Sequence, residues 1–183
     1  MSSKLEATIE DLYYVPENGK AEIVDGKLVF FPPLGAWPNR ASGTIYVSLR
    51  NHERNIITGR AYIGTAAFIV HLPNRKSFSP DVSFYIGPFS GMKFLQGAPI
   101  FAVEVRSEGD YGSAAERKIR QKINDYFAAG TKVVRDVDLL SYDIVKVYRA
   151  DDPDNPTIYR RDDIAEAEPA VPGWRIPVAE LFA

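Results

Sequence analysis

The sequence predicts a mixed α/β (α+β) fold, a mixed sheet flanked by helices. Three observations predict it. The chain has 183 residues and is 45% hydrophobic, which at about 150 residues per domain is one domain with ample core material. Alternating β-branched runs are interspersed with two stretches of helical spacing, so sheet and helix share a core. The run PIFAVEV, 99–105, is apolar without alternation, as in a central strand covered on both faces. The expected organisation is a single domain over 1–183: an N-terminal helix, hairpin and long helix (1–60), a core (61–150), and an acidic loop with an aromatic cap (151–183).

Each element has a local cause. Thr8, with Asp11 three residues on, predicts a capped short helix that stops before Pro16. AEIVDGKLVFF reads as a hairpin turning at Asp25-Gly26 and ending at Pro32-Pro33. From Asn39 to Thr58 the spacing is helical, with Ile45, Leu49, Ile56 and Ile57 in one stripe and Ser42 or Asn39 as cap. Strands follow at RAYIG, AAFIVHL and DVSFYI, the last two separated by the turn PNRKS. Ser113 opens a second helix that Gly130 closes. KVVRDVDLL and YDIVKVYR alternate as paired strands. The stretch 151–168 holds seven acids against two arginines and reads as a solvated loop. VPGWRIPVAELF packs an aromatic turn on the body.

Composition removes several chemistries. Cysteine is absent, which excludes disulfides, thiolate nucleophiles and cysteine-bound metals. Two histidines, His52 and His71, are too few for a three-histidine zinc site. His52 reads as an exposed helix residue and His71 as a strand-end residue. A net charge of −2 and a pI near 5.7 predict no general attraction to nucleic acid. The first residues lack a signal peptide's basic and apolar regions, and no run approaches the ~20 apolar residues of a membrane span. The expectation is a cytoplasmic protein.

Three acids fall at strand signals: Glu22, Asp81 and Glu104. Asp81 follows Pro80, a residue suited to a strand's first position. Glu104 is a charge in an apolar run, costly unless paired or bound to metal. Glu104 and Arg106 share a strand face, so a buried ion pair between them is one reading. On the second helix, Lys122 lies roughly 85° from the centre of the Ile119, Ile123, Tyr126, Phe127 stripe, able to run its stem along the core and present its ammonium at the sheet edge. An ordinary lysine of this kind is the plain alternative. Two carboxylates with a lysine also suit metal-assisted phosphodiester hydrolysis, because hard oxygens hold magnesium and the metal activates water. Paired carboxylates also occur in glycosidases, a weaker reading because nothing in the sequence calls for it and the lysine would have no role there.

Pro80-Asp81, Glu104-Val105 in a buried strand, and a helix ending KINDYFAAG resemble the Uma-two family of restriction-endonuclease-like proteins, in the PD-(D/E)xK nuclease superfamily. AEIVDGKL, VDLLSYDIVKVYR and PGWRIPVAELF extend the resemblance over residues 8–182. It implies a restriction-endonuclease-like core and a metal-dependent DNA endonuclease, with magnesium, or manganese in its place, as cofactor. Asp81 and Glu104 would hold the metal with the carbonyl of Val105. Lys122 would assist the attacking water, and Glu22 would complete the metal shell. A homodimer is the expected assembly.

Two departures favour the alternative, a catalytically silent binding module of the same fold. Arg106 occupies the tripeptide lysine position. It remains protonated, a poor base, but able to stabilise phosphate charge. Arg135 and Asp136 stand where relatives carry an aromatic and an apolar residue, which puts a regular central strand there in question. Arg117, Lys118 and Arg120 are candidate phosphate contacts. The early histidine frequent in relatives is absent; Asn39 lies near its place.

Overall fold

In the computed structural model, the described residues are 6–16, 19–56 and 58–183. The chain begins with a short helix, α1 (Ile9–Tyr13), whose entry is fixed by Thr8 donating from its backbone N and its hydroxyl to the Asp11 carboxylate. The hairpin follows as β1 (Lys20–Val24) and β2 (Lys27–Phe31). Asp25 and Gly26 both take positive φ, 48° and 69°, the left-handed pair that a two-residue turn needs to match strand twist.

The long helix α2 spans Ala36–Glu53, earlier at both ends than its apolar spacing predicts. Gly35 is its cap, and Pro38 sits in the first turn, where a missing N–H costs nothing. Ser42 is inside the helix, its hydroxyl donating to the Pro38 carbonyl at 2.7 Å. Ala41, Ile45 and Leu49 form the buried stripe. Ile56 packs on the core from beyond the helix end, and Ile57 lies outside the described residues.

Six strands make the central sheet: β3 (Arg60–Ile63), β6 (Val82–Tyr85), β8 (Phe101–Val105), β9 (Val133–Val137), β10 (Val145–Arg149) and β11 (Asp152–Tyr159). Their order is β11-β10-β9-β8-β6-β3. Within this sheet, among the described residues, only β8 and β9 run parallel; the helix α3 (Ser113–Ala128) connects them, as a parallel pair requires. Three short strands, β4 (Phe68–Ile69), β5 (Ser77–Phe78) and β7 (Leu95–Gln96), form a second sheet. The predicted strand AAFIVHL therefore shrinks to two residues.

Alternation along β8 divides the core. Phe101, Val103 and Val105 face α2, while Ala102 faces Ile123 and Tyr126 of α3 together with Phe68 and Phe78. Both faces being covered explains the unbroken apolar run. A last hairpin, β12 (Ile164–Glu166) and β13 (Arg175–Pro177), leads to a short 3₁₀ turn at Val178–Phe182. It seats Trp174, 2% exposed, beside Phe101 with its indole N–H on Ser48 at 3.0 Å.

Two expectations are corrected here. The acidic stretch is not a loop: β11 pairs with β10 across it, and Ile164–Glu166 is β12. Two prolines in DPDNPTIY hide that strand, and an edge position is where they are tolerated. Arg135 and Asp136 do not disturb β9, which pairs in continuous register with both neighbours.

Candidate active site

The fold brings Glu22, Asp81, Glu104 and Lys122 into one cluster. Asp81 heads β6, where its backbone N donates to the Val103 carbonyl at 3.1 Å. Its Oδ2 accepts from the Val105 N–H at 2.8 Å. The Val105 carbonyl leaves β8 toward the same edge as its own N–H. That carbonyl and the Asp81 carboxylate are thus neighbouring oxygen donors.

Glu104 projects from β8 toward α3. Its Oε1 accepts from the Tyr126 hydroxyl at 2.6 Å and pairs with Lys122 Nζ at 2.8 Å. The same ammonium reaches Glu22 Oε1 at 2.9 Å, so Lys122 bridges the hairpin acid and the central-strand acid. Lys122 and Tyr126 are four residues apart, one above the other on the helix.

Glu22 is 1% exposed and fully engaged. Besides Lys122 it takes the Ser79 N–H at 2.9 Å and Arg75 at 2.5 Å. Arg75 also donates to Asp125 of α3 at 2.9 Å and lies over the Phe78 ring. Phe78 stacks on Tyr126 at 4.0 Å. Arg75 therefore ties the hairpin to the helix that carries Lys122. Lys20 completes the group, its Nζ 2.8 Å from Asp81 Oδ1. Lys20 and Lys122 both flank the Phe31 ring, at 5.5 and 5.2 Å from its centroid.

These contacts set the charges. Burial would lower the Lys122 pKa, but Glu104 and Glu22 outweigh it and hold it above the ordinary lysine value. Lys122 is therefore a cation and N–H donor at neutral pH, not a base. Burial pushes the Glu104 carboxyl up, and the charges of Asp81 and Glu22 add to this against Lys122. Burial acts on Glu22 too, yet Lys122 and Arg75 overcome it and leave its pKa below the usual range. Burial is the larger cause of the Glu104 rise, and an added cation would oppose the smaller part that comes from Asp81 and Glu22.

The donor chemistry fits a hard divalent ion: carboxylate oxygens of Asp81 and Glu104 and the Val105 carbonyl. Among the described residues no three histidine, aspartate or glutamate side chains converge as a metal cage. Magnesium does not need one, since it is held by one or two carboxylates and keeps several waters.

Arg106 is placed elsewhere. It shares the Glu104 face of β8 but does not pair with Glu104. It donates to Asp136 at 2.9 and 2.7 Å and to Glu116 in the first turn of α3. Arg120 is tied to the Pro153 carbonyl and Asp154, while Arg117 and Lys118 are exposed. His71 is exposed. His52 is half-buried, not exposed, with its ring nitrogen 3.0 Å from the Pro172 carbonyl.

Lys20, Arg75, Asp125 and Tyr126 enter the site without having been singled out for it. Lys20 had a signal: two residues before Glu22 on a strand, it shares that acid's face. Tyr126 had the four-residue spacing to Lys122. Arg75 had none, since a turn sequence does not say where its side chains reach.

A mixed sheet with an α3-linked parallel pair, an acid heading one strand and an acid inside the next defines a protein of the restriction-endonuclease-like fold. The chain belongs to the Uma2 family, described as "Putative restriction endonuclease", which matches residues 7–179. Among solved structures it is similar to "a putative nuclease belonging to DUF820" from Anabaena variabilis, at 17% identity and a TM-score of 0.75, covering 96% of this chain and 97% of that one. No curated protein matches the chain.

Proposed function

We propose that the protein is a metal-dependent DNA endonuclease hydrolysing phosphodiester bonds at the Asp81–Glu104–Lys122 cluster. The observation that carries this is Lys122 Nζ bridging Glu22 and Glu104 beside the Asp81–Val105 oxygen edge. Asp81, Glu104 and the Val105 carbonyl would hold the ion, magnesium or alternatively manganese, with Glu22 behind them through Lys122. When bound, the metal lowers the pKa of a coordinated water and neutralises phosphodiester charge.

The chain's own groups do the rest. Lys122, kept protonated, orients the attacking water by N–H donation and stabilises charge on the phosphoryl oxygens. Glu22 and Glu104 fix that ammonium, and Tyr126 fixes Glu104. Arg106 supports the site only by holding β8, β9 and α3 together. A homodimer would present two such sites to opposite strands; the family resemblance supports that arrangement.

A non-catalytic binding module of the same fold is the second reading. It is favoured by the ion pairing of Asp81 to Lys20 and by the lack of a three-acid cage among the described residues. Cleavage of supercoiled plasmid separates the two. Magnesium- or manganese-dependent nicking, absent with EDTA and in Asp81→Ala/Glu104→Ala, is expected. Lys122→Met should lose about 10²–10³-fold in rate, the effect of removing one preorganised donor. Failure of both cleavage and calorimetric metal binding would leave the binding module.

A further inference from the structure

Lys20 is the cation at this site that the hydrolytic scheme leaves unused. It comes from the hairpin, its side chain is 17% exposed, and its ammonium sits on the Asp81 carboxylate, itself 7% exposed. Asp81 Oδ2 is committed to the Val105 amide, so Lys20 occupies the oxygen left for another ligand. The ammonium also acts electrostatically on Glu104. Its stem ends beside the Phe31 ring, which Lys122 approaches as well. The two lysines thus stand at one aromatic post, one on each metal-directed acid.

Formal charge gives the pairing a direction. Glu22, Asp81 and Glu104 face Lys20 and Lys122, while Arg75 and Asp125 cancel each other. The group carries one net negative charge. A divalent cation would leave it one positive, and a phosphodiester would return it to neutrality. Without Lys20 the metal alone would neutralise the group, and the substrate would add an uncompensated negative charge. In a partly buried site such charges are not screened away.

We propose that Lys20 is a substrate-binding residue held in reserve: it pairs with Asp81 in the free protein, yields that oxygen to the divalent ion, and then contacts a DNA phosphate. This rests on the nuclease reading of the site. Lys20 is both a tethered competitor of the metal and a ligand of the substrate, so removing it should have opposite effects on the two affinities.

The test is calorimetry of manganese binding to the full chain, wild type against Lys20→Met, with Lys20→Gln as a second variant. Thermal melts confirm folding. In parallel, binding of a short duplex oligonucleotide is titrated against salt in calcium, with a gel confirming that the duplex is uncut. Manganese affinity should rise several-fold in both variants. DNA affinity should fall, with the slope of log K against log salt smaller by about one, the share of one phosphate contact. Unchanged or weaker metal binding, or an unchanged salt slope, overturns the assignment of Lys20 and leaves the nuclease reading standing. Absence of manganese binding in the wild type, with no cleavage, overturns both.

Discussion

Arg135 shows how much one side chain in this core costs. It is fully buried and, among the described residues, has a single hydrogen bond, from Nη2 to the Glu166 carbonyl, with no partner for Nε or Nη1. The Trp174 and Phe101 rings flank its guanidinium at 4.7 and 5.5 Å. Burial lowers its pKa to about 9, against small opposing effects of Tyr159 and Glu166. The desolvation penalty exceeds a cation–π contribution of about 2 kcal/mol. Arg135→Met should therefore stabilise the protein at pH 7 by on the order of 1 kcal/mol, read as a higher urea midpoint. Because burial holds the folded pKa below the ordinary arginine value, the penalty applies in full below pH 9 and fades as pH rises beyond it. The stability curves of variant and wild type should converge above that point. Parallel curves would mean that the guanidinium is satisfied in another way.

At the scale of elements, Arg106 joins three of them. It follows β8, pairs with Asp136 of β9, and reaches Glu116 at the start of α3. The two acids differ in worth because they differ in exposure. Asp136 is 2% exposed, so Asp136→Asn leaves half of a buried pair and should cost about 3 kcal/mol. The Glu116 side chain is 53% exposed, and Glu116→Gln should cost about 0.2–1 kcal/mol at neutral pH. The Arg106 hydrogen bond and charge hold the Glu116 carboxyl below its ordinary 4.5. Its contribution is thus present above that pH and lost as pH falls through the depressed folded value. Chemical denaturation of Glu116→Gln and wild type should differ at pH 7 and coincide in strong acid. Lys122 depends on the same helix, so under the proposed nuclease function Asp136→Asn should also slow cleavage.

At the scale of the molecule, the last thirty residues belong to the same core as α2. β11 pairs with β10, and Trp174 packs with Phe101 and bonds to Ser48 of α2. Removing residues 151–183 should abolish cooperative unfolding, since it strips an edge strand and the cover of one sheet face. A truncated chain that still melts sharply would show an independent core over 6–150. No described helix is long and apolar enough to cross a membrane, and a net charge of −2 makes any DNA binding depend on local cations such as Lys122.

Much of this was legible in the sequence because its causes are local. Asp25-Gly26 sets its turn through backbone conformation, Thr8 and Asp11 close their own cap, and the apolar run of β8 reports burial on both faces. Glu104, a charge in that run, had to find a partner. β11 escaped because its prolines and acids are tolerated only at a sheet edge, and nothing local says which strand will be an edge. Which partner each charge took was likewise decided by tertiary structure. Glu104 and Arg106 share a face, yet α3 offers Lys122 to one and Glu116 to the other, while Asp136 arrives from β9. The sequence alone determined the elements whose causes are local, the outer limits of the chemistry and the acids at stake. Packing of the hairpin and α3 on the sheet decided that Lys20, Arg75 and Tyr126 join them, because contacts between residues far apart in the chain have no signature in local spacing.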